Sequence, residues 1–208
     1  IIVHNAKGFH SYASMREGTE WFQTPWSSIA GLSIGLVGLG KIGQSLLQRL
    51  HNFGCKNISY HSPSIKPEAE SIFRITRLPL RELLEKSDLV VVQVNYTDMT
   101  HDLFNAETLA FCRPGAKLFC FSNPKVINPT ALKTVLTEGR GLSFAYMDGF
   151  YEEWIECPGL MDSRGLLNLP PDRFVATSHI AAQERHTISN MVALAWEKIL
   201  DHRKKCHE

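Results

Sequence analysis

Short apolar runs rich in β-branched residues recur along the chain, with helical stretches between them. Strand patterning falls on residues 33–37, 57–60, 89–94, 117–121, 143–147 and 173–177. Several of these runs are apolar at consecutive positions instead of alternating, as in strands covered by helices on both faces. Between them, residues 41–53 place Ile42, Leu46, Leu47 and Leu50 on one stripe, and Leu80–Lys86 forms a short helix that stops before Ser87-Asp88. Asn128-Pro129 is an N-cap followed by proline at the first helical position, opening a helix to about Thr137 that Gly139 and Gly141 close. A last helix extends from about Gln183 to near Asp201, before the polar His202-Arg203-Lys204-Lys205. Residues 1–30 are less regular, and Pro25-Trp26-Ser27-Ser28 serves as a connector into the first strand. This alternation predicts βαβ units and an α/β fold with a doubly wound parallel sheet.

The sharpest motif stands where the first strand ends. Leu32-Ser33-Ile34-Gly35-Leu36-Val37 leads into Gly38-Leu39-Gly40-Lys41-Ile42-Gly43, a G-x-G-x-x-G at Gly38, Gly40 and Gly43. Alone the pattern is weak; after an apolar strand and at the start of an amphipathic helix it has a physical reason. Gly38 permits the tight turn, Gly40 lets backbone approach a pyrophosphate, and Gly43 lets the helix pack close to the strand. The amides at Lys41 and Ile42 and the positive end of the helix dipole then face the anion. The plainer alternative is a glycine-rich packing turn with no ligand.

A dinucleotide site of this kind usually carries, about 20 residues on, an acid that bonds the ribose hydroxyls. Here the run is Ser59-Tyr60-His61-Ser62-Pro63-Ser64-Ile65-Lys66, without an acid. His61 stands in the carboxylate's place, followed by Ser62. A carboxylate would repel a 2′-phosphate, whereas His, Ser and Lys tolerate or bind one. The balance tips from NAD toward NADP; the alternative, in which these are ordinary solvated loop residues and either cofactor is accepted, stays open.

Composition narrows the partners. The formal net charge is +1, so no bulk field draws the chain to nucleic acid or to an anionic membrane. With 208 residues and 44% hydrophobic residues, a sizeable core is available. Cys55, Cys112, Cys120, Cys157 and Cys206 are odd in number and contain no Cys-x-x-Cys spacing. That argues against a disulfide framework and against a structural zinc site, so no metal is expected, and it fits a reducing compartment. No apolar run approaches the length of a membrane span, and Ile1 to Lys7 lack the pattern of a signal peptide, so the expected location is cytoplasmic.

From about Gly31 to Leu200 the chain resembles the cofactor-binding domain of the D-isomer-specific 2-hydroxyacid dehydrogenases. The landmarks come in order. Gly38-Leu39-Gly40-Lys41-Ile42-Gly43 matches the family's opening turn. Leu80-Arg81-Glu82-Leu83-Leu84-Glu85-Lys86-Ser87-Asp88-Leu89-Val90 is similar to its "L-x-E-L-L-x-x-S-D-V-V", and Phe111-Cys112-Arg113-Pro114-Gly115-Ala116 to its "M-K-P-G-A". Met147-Asp148-Gly149-Phe150-Tyr151-Glu152-Glu153 resembles "L-D-V-F-x-x-E", and Ser178-His179-Ile180-Ala181 resembles "P-H-I-A/G". Unrelated Rossmann domains share only the first of these.

The resemblance implies a Rossmann-like dinucleotide-binding domain and hydride transfer between nicotinamide and a small 2-hydroxy or 2-keto acid. It implies that His179 exchanges a proton with the substrate oxygen and that Glu153 hydrogen-bonds this histidine. The chemistry is sound independently, because an imidazole titrates near neutrality and a carboxylate tunes and orients it. A histidine after a strand is more often structural when it stands alone, and Glu153, between Glu152 and Glu156, also fits a solvated acidic loop. Asp148 matches an aspartate that contacts the nicotinamide carboxamide. The resemblance further implies a homodimer paired through the cofactor domain and the arm before it, with Trp21, Phe22 and Trp26 as apolar anchors; the alternative is that these three cover the local core.

Two segments depart from the family. Cys120-Phe121-Ser122-Asn123-Pro124-Lys125 stands where "N-T-A-R-G-G" is usual, so Asn123 occupies the position of the arginine that binds the substrate carboxylate. Asparagine donates a hydrogen bond but cannot make the charged bidentate fork, a loss of roughly 1–2 kcal/mol. Gln93-Val94-Asn95-Tyr96-Thr97 replaces "H-x-P-x-T", with Asn95 at the proline under the nicotinamide. Val94, Asn95, Phe121 and Ser122 join the expected cofactor-binding positions. The expected division is a remnant of the substrate domain and a connecting arm at 1–30, the dinucleotide-binding domain at 31–182, and a C-terminal helix and polar tail at 183–208. With so little before the turn, the expectation is a piece of a longer protein or a shortened relative. The competing reading is a catalytically weak or inactive dinucleotide-binding module acting through protein partners.

Overall fold

A computed structural model describes Gly18 and residues 28–139, 141–151, 162–181 and 183–205. Seven strands make one sheet: β1 (Ile34–Val37), β2 (Ile58–His61), β3 (Thr76–Arg77), β4 (Leu89–Val92), β5 (Ala116–Cys120), β6 (Leu142–Asp148) and β7 (Phe174–Thr177). Every pairing is parallel, and the order across the sheet is β3-β2-β1-β4-β5-β6-β7. The order reverses between β1 and β4, where a doubly wound sheet opens a crevice beyond its carboxyl ends. The helices are α1 (Lys41–Asn52), α2 (Pro67–Phe73), α3 (Leu80–Lys86), α4 (Ala106–Ala110), α5 (Pro129–Glu138) and α6 (Arg185–Lys205).

The consecutive apolar runs are explained by two cores, one on each face. Val37, Val90, Val92 and Leu118 pack with Leu83, Leu84, Leu132 and Leu136. Ile34, Leu36, Leu89 and Val91 pack with Leu47, Leu50, Tyr60, Phe119, Phe144 and Tyr146. The central strands β1, β4, β5 and β6 thus send side chains into both cores. Among the described residues no helix is long and apolar enough to cross a membrane.

The expected stripe on α1 needs one correction. Leu47 and Leu50 are buried and Leu46 is half-buried, but Ile42 is 73% exposed. Gly43 takes its place on the buried face, at i, i+4 and i+7 with Leu47 and Leu50. The first turn sits so close to β1 that only a residue without a side chain fits there. That leaves Ile42, one residue earlier, facing away.

Several short elements lie outside the sequence reading. α4 has five residues and is held by a capping box in which Asn105 and Thr108 bond each other's backbone. α2 begins at Pro67 and has two acids, Glu68 and Glu70, in its first turn. β3 is two residues long and is defined only by its pairing with β2. None is long enough to show a period. α5 starts as expected, with Asn128 Oδ1 accepting from Ala131 N at 3.0 Å, and ends on Gly139 in the left-handed region.

Cys55, Cys112 and Cys120 are free buried thiols. Burial pushes Cys112 and Cys120 up to about 12, so both keep their protons throughout the physiological range. In a chain carrying Cys157→Ser and Cys206→Ser, these two thiols are expected to resist a thiol reagent at neutral pH until denaturant opens the core. Because the folded value is raised, the stabilisation is complete below the unfolded thiol's value. It drains away as pH climbs from 9.0 toward about 12. Thiol release that is fast in the absence of denaturant would contradict the burial.

Candidate active site at the carboxyl ends of the strands

The turn after β1 uses its glycines for different reasons. Gly38 has φ +97, and a Cβ there would stand 2.2 Å from the Gln93 carbonyl oxygen. Its N–H donates to His61 O at 2.9 Å, and Gln93 N donates to Val37 O at 2.7 Å, so the turn is wedged between the ends of β2 and β4. A Cβ on Gly43 would stand 2.5 Å from Gly38 O. At Gly40, by contrast, a Cβ would meet nothing within 4 Å. Gly40 is the N-cap of α1 and offers no capping side chain. The amides of Lys41, Ile42 and Gly43 bond to no carbonyl among the described residues. Open space beside Gly40, at helix-start N–H groups that no carbonyl among the described residues takes, fits a pyrophosphate.

At the end of β2, His61 Nδ1 lies 3.0 Å from Leu78 O. Ser62 is buried, and its hydroxyl donates to Ser64 O at 2.5 Å, so it closes its own loop. Lys66 caps α2, with its N–H donating to Tyr60 Oη at 2.8 Å. A residue missed in the sequence is Arg77, whose Nε donates to Ser62 O at 2.9 Å and Nη2 to Pro63 O at 3.1 Å. With His61, Ile65, Glu70 and Thr76 it lines a cavity of about 600 Å³. No local signal marks it, because it is placed by the register Tyr60↔Arg77.

The loops after β4 and β5 are tied together. Val94 N donates to Ser122 Oγ at 2.8 Å, and Val94 Cγ1 would lie 3.1 Å from a Cβ on Gly38. Asn95 is exposed, and its carbonyl accepts from Thr100 Oγ1 at 2.7 Å. Phe121 packs on Tyr146 with ring centroids 5.6 Å apart. Asn123 is an exposed N-cap whose Oδ1 accepts from Lys125 N at 3.0 Å. This uses one lone pair of its oxygen, and the side chain carries an uncharged –NH₂. Lys125 O accepts from Asp102 N at 3.0 Å and lies 3.2 Å from His101 Nδ1.

The last strand pair carries His179. The end of β6 and β7 match in register as Asp148↔Thr177. Asp148, 6% exposed, accepts from Thr177 Oγ1 at 2.6 Å, Ile180 N at 2.9 Å and Ala181 N at 2.8 Å. His179 is exposed, with φ +55 and its N–H on Thr177 O at 2.8 Å. A left-handed backbone at a non-glycine residue is strained by about 1–3 kcal/mol and tends to mark functional positions. Tyr146 Oη lies 2.6 Å from Thr177 Oγ1, and burial pushes its phenol above the ordinary value. Glu153, Trp21, Phe22 and Trp26 fall outside the described residues.

Because every strand is parallel, Gly38, His61, Val94, Phe121, Asp148 and His179 all sit at the carboxyl edge of one sheet. Among the described residues no group of three or more His, Cys, Asp or Glu is placed to hold a metal ion. The strand order and the open turn define a dinucleotide-binding domain of the Rossmann type. The family model "D-isomer specific 2-hydroxyacid dehydrogenase, NAD binding domain" matches residues 1–181, and the chain belongs to that family.

Glyoxylate reductase of Thermococcus onnurineus is 39% identical over 125 residues, which cover 60% of this chain and 37% of that protein. Glyoxylate/hydroxypyruvate reductase B of Citrobacter koseri is 33% identical over 184 residues, 88% of this chain and 53% of that protein. The chain therefore spans between a third and just over half of these relatives. The NAD-complexed D-isomer specific 2-hydroxyacid dehydrogenase of Lactobacillus delbrueckii ssp. bulgaricus shares the fold with a TM-score of 0.82 at 22% identity, over 94% of this chain and 61% of that one.

Proposed function

We propose that this chain is the cofactor-binding part of an NAD(P)-dependent oxidoreductase that moves hydride between nicotinamide and a small 2-hydroxy or 2-keto acid. The observation that carries the reading is the unfilled space over Gly40 at the start of α1, on the same sheet edge as His179. The Lys41, Ile42 and Gly43 amides would receive the pyrophosphate, and Val94, Asn95, Phe121 and Ser122 would border the rest of the dinucleotide. Bound nicotinamide supplies the hydride or accepts it. In the reducing direction His179 gives a proton from its ring to the substrate oxygen; in the oxidising direction it takes one back. Glu153 would hold the imidazole in the required tautomer. Asn123 offers the substrate an uncharged N–H where an arginine would offer a charged pair.

For the cofactor, the family description supports NAD. The absence of an acid at His61 and the guanidinium of Arg77 beside the same loop favour acceptance of a 2′-phosphate as well. Titration with NADH and NADPH, read by nicotinamide fluorescence, is expected to show binding of both, with NADPH at least as tight. Absence of binding by either cofactor at millimolar concentration would falsify the reading. The proposal includes a soluble protein of a reducing compartment that pairs with a second copy; its buried free thiols fit the former. A second reading, an inactive dinucleotide-binding module, is favoured by one observation: Asn123 caps a turn and brings no charge.

A further inference from the structure

We infer that Lys125 binds the carboxylate of the substrate; this rests on the oxidoreductase reading above and names the group that holds the acid. In a doubly wound sheet the dinucleotide straddles the point where the strand order reverses, with its pyrophosphate at the turn after β1. His61 and Arg77 stand on the β2–β3 side of that turn, so the nicotinamide end falls over the loops after β4 and β5, on the side of His179. A 2-keto acid brought there is an anion at neutral pH. The loops after β4 (residues 93–105), β5 (residues 121–128) and β7 (residues 178–184) contain one lysine and no arginine, and that lysine is Lys125. The same loops carry Asp98, Asp102 and Glu184, which repel a carboxylate. Within them, a permanent positive charge for the acid comes from Lys125 alone.

The turn after β5 presents this side chain. From Asn123 to Val126 burial alternates: Pro124 and Val126 are buried, Val126 in the core, while Asn123 and Lys125 are exposed. The two exposed side chains therefore project from the outer side of one turn. The main chain beneath Lys125 is fixed at both ends. Its N–H donates to Asn123 Oδ1 at 3.0 Å, and its carbonyl accepts from Asp102 N at 3.0 Å. Phe104 N donates to Val126 O at 3.0 Å and Asn128 N to Phe104 O at 3.0 Å, which staples the loops after β4 and β5 into one rim. The ammonium is uncommitted. Arg81, Lys86 and Arg113 each hold a carboxylate, whereas Lys125 Nζ makes no hydrogen bond or ion pair among the described residues. A flexible four-carbon stem on a rigid base lets a point charge reach a small anion beside the Asn123 –NH₂. The amide then gives direction and the ammonium gives charge, two tasks that a single guanidinium combines.

The test compares wild type with Lys125→Gln, Lys125→Arg and Lys56→Gln. Lys56 is an exposed lysine before β2, at the opposite edge of the sheet, and controls for the lost charge. Two quantities are read: kcat and KM for glyoxylate at saturating NADPH, and the calorimetric Kd of oxalate, an unreactive carboxylate, in the presence of NADPH. Lys125→Gln is expected to raise KM and the oxalate Kd by about ten-fold or more, with kcat changed less. Lys125→Arg and Lys56→Gln should stay within about threefold of wild type. Adding Asn123→Arg to Lys125→Gln should restore the lost affinity, because the two positions serve one anion. A wild-type KM in Lys125→Gln would overturn the inference and leave the oxidoreductase reading standing. So would an equal rise with Lys56→Gln, or no restoration by Asn123→Arg. If wild type reduces nothing yet binds oxalate, and Lys125→Gln binds it ten-fold more weakly, the oxidoreductase reading falls and the anion site stands. A wild type that neither reduces glyoxylate nor binds oxalate overturns both.

Discussion

Gly38→Ala is expected to unfold much of the domain's stability, whereas Gly40→Val is expected to fold normally and lose nicotinamide binding. The two glycines are two residues apart in one motif but do different work. A Cβ on Gly38 would meet Gln93 O at 2.2 Å and Gln93 C at 2.7 Å. Both are backbone atoms at the end of β4, whose register with β1 and β5 leaves no room to move. The backbone there is also at φ +97, which alanine adopts only under strain. The loss should reach about 4 kcal/mol or more, a melting temperature lower by roughly 8–16 °C in a chain of this size.

Gly40 has φ −76 and an empty surround, so valine costs the fold only about 1 kcal/mol or less at an N-cap. Its side chain would instead stand in the open space at the start of α1 where the proposed pyrophosphate would lie, and cofactor affinity should fall by at least about ten-fold, 1.4 kcal/mol. Circular-dichroism melts and NADPH fluorescence titration read the two effects separately. Undiminished binding by Gly40→Val would mean that no pyrophosphate rests there.

His179→Ala is expected to abolish reduction of glyoxylate and hydroxypyruvate while cofactor affinity stays where it was. Loss of a general acid–base group lowers kcat by about 10²–10⁴-fold. The structure adds a sharper form of the experiment. His179 sits at φ +55, where glycine is at ease and alanine is not. His179→Gly should therefore be as inactive as the alanine variant yet more stable than it, by about 0.5–1 kcal/mol. A histidine kept for packing would show no loss of rate in either variant. If wild type itself reduces neither substrate faster than the variants, the oxidoreductase reading fails for this chain.

The site was legible to different depths. Asp148 and His179 stand out by their neighbours in the chain, but the sequence could not say that the carboxylate bends back onto Thr177, Ile180 and Ala181. That requires β7 to lie beside β6. His61 was visible as a missing acid, while Arg77 was not visible at all, being brought to the same loop by an edge strand of two residues. Ser62 was visible as a hydroxyl after His61; that it also closes its own loop on Ser64 O, two residues away, emerges only from the backbone path. Asn123 was legible as a lost charge; its second job, capping Pro124–Val126, emerges only from the backbone path.

By itself the sequence determined the parallel sheet and the phosphate turn, since both rest on local rules. Unbroken apolar runs are stable only under helices on both faces, and glycines at i, i+2 and i+5 between an apolar strand and an amphipathic helix are read from adjacent residues alone. The tertiary structure alone decided which first-turn residue of α1 meets the sheet, Gly43 in place of Ile42, which basic side chain stands beside the Ser62–Pro63 loop, and what the turn around His179 bonds to. These depend on strand order and register, where residues far apart in the chain compete for the same space and the same hydrogen-bond partners.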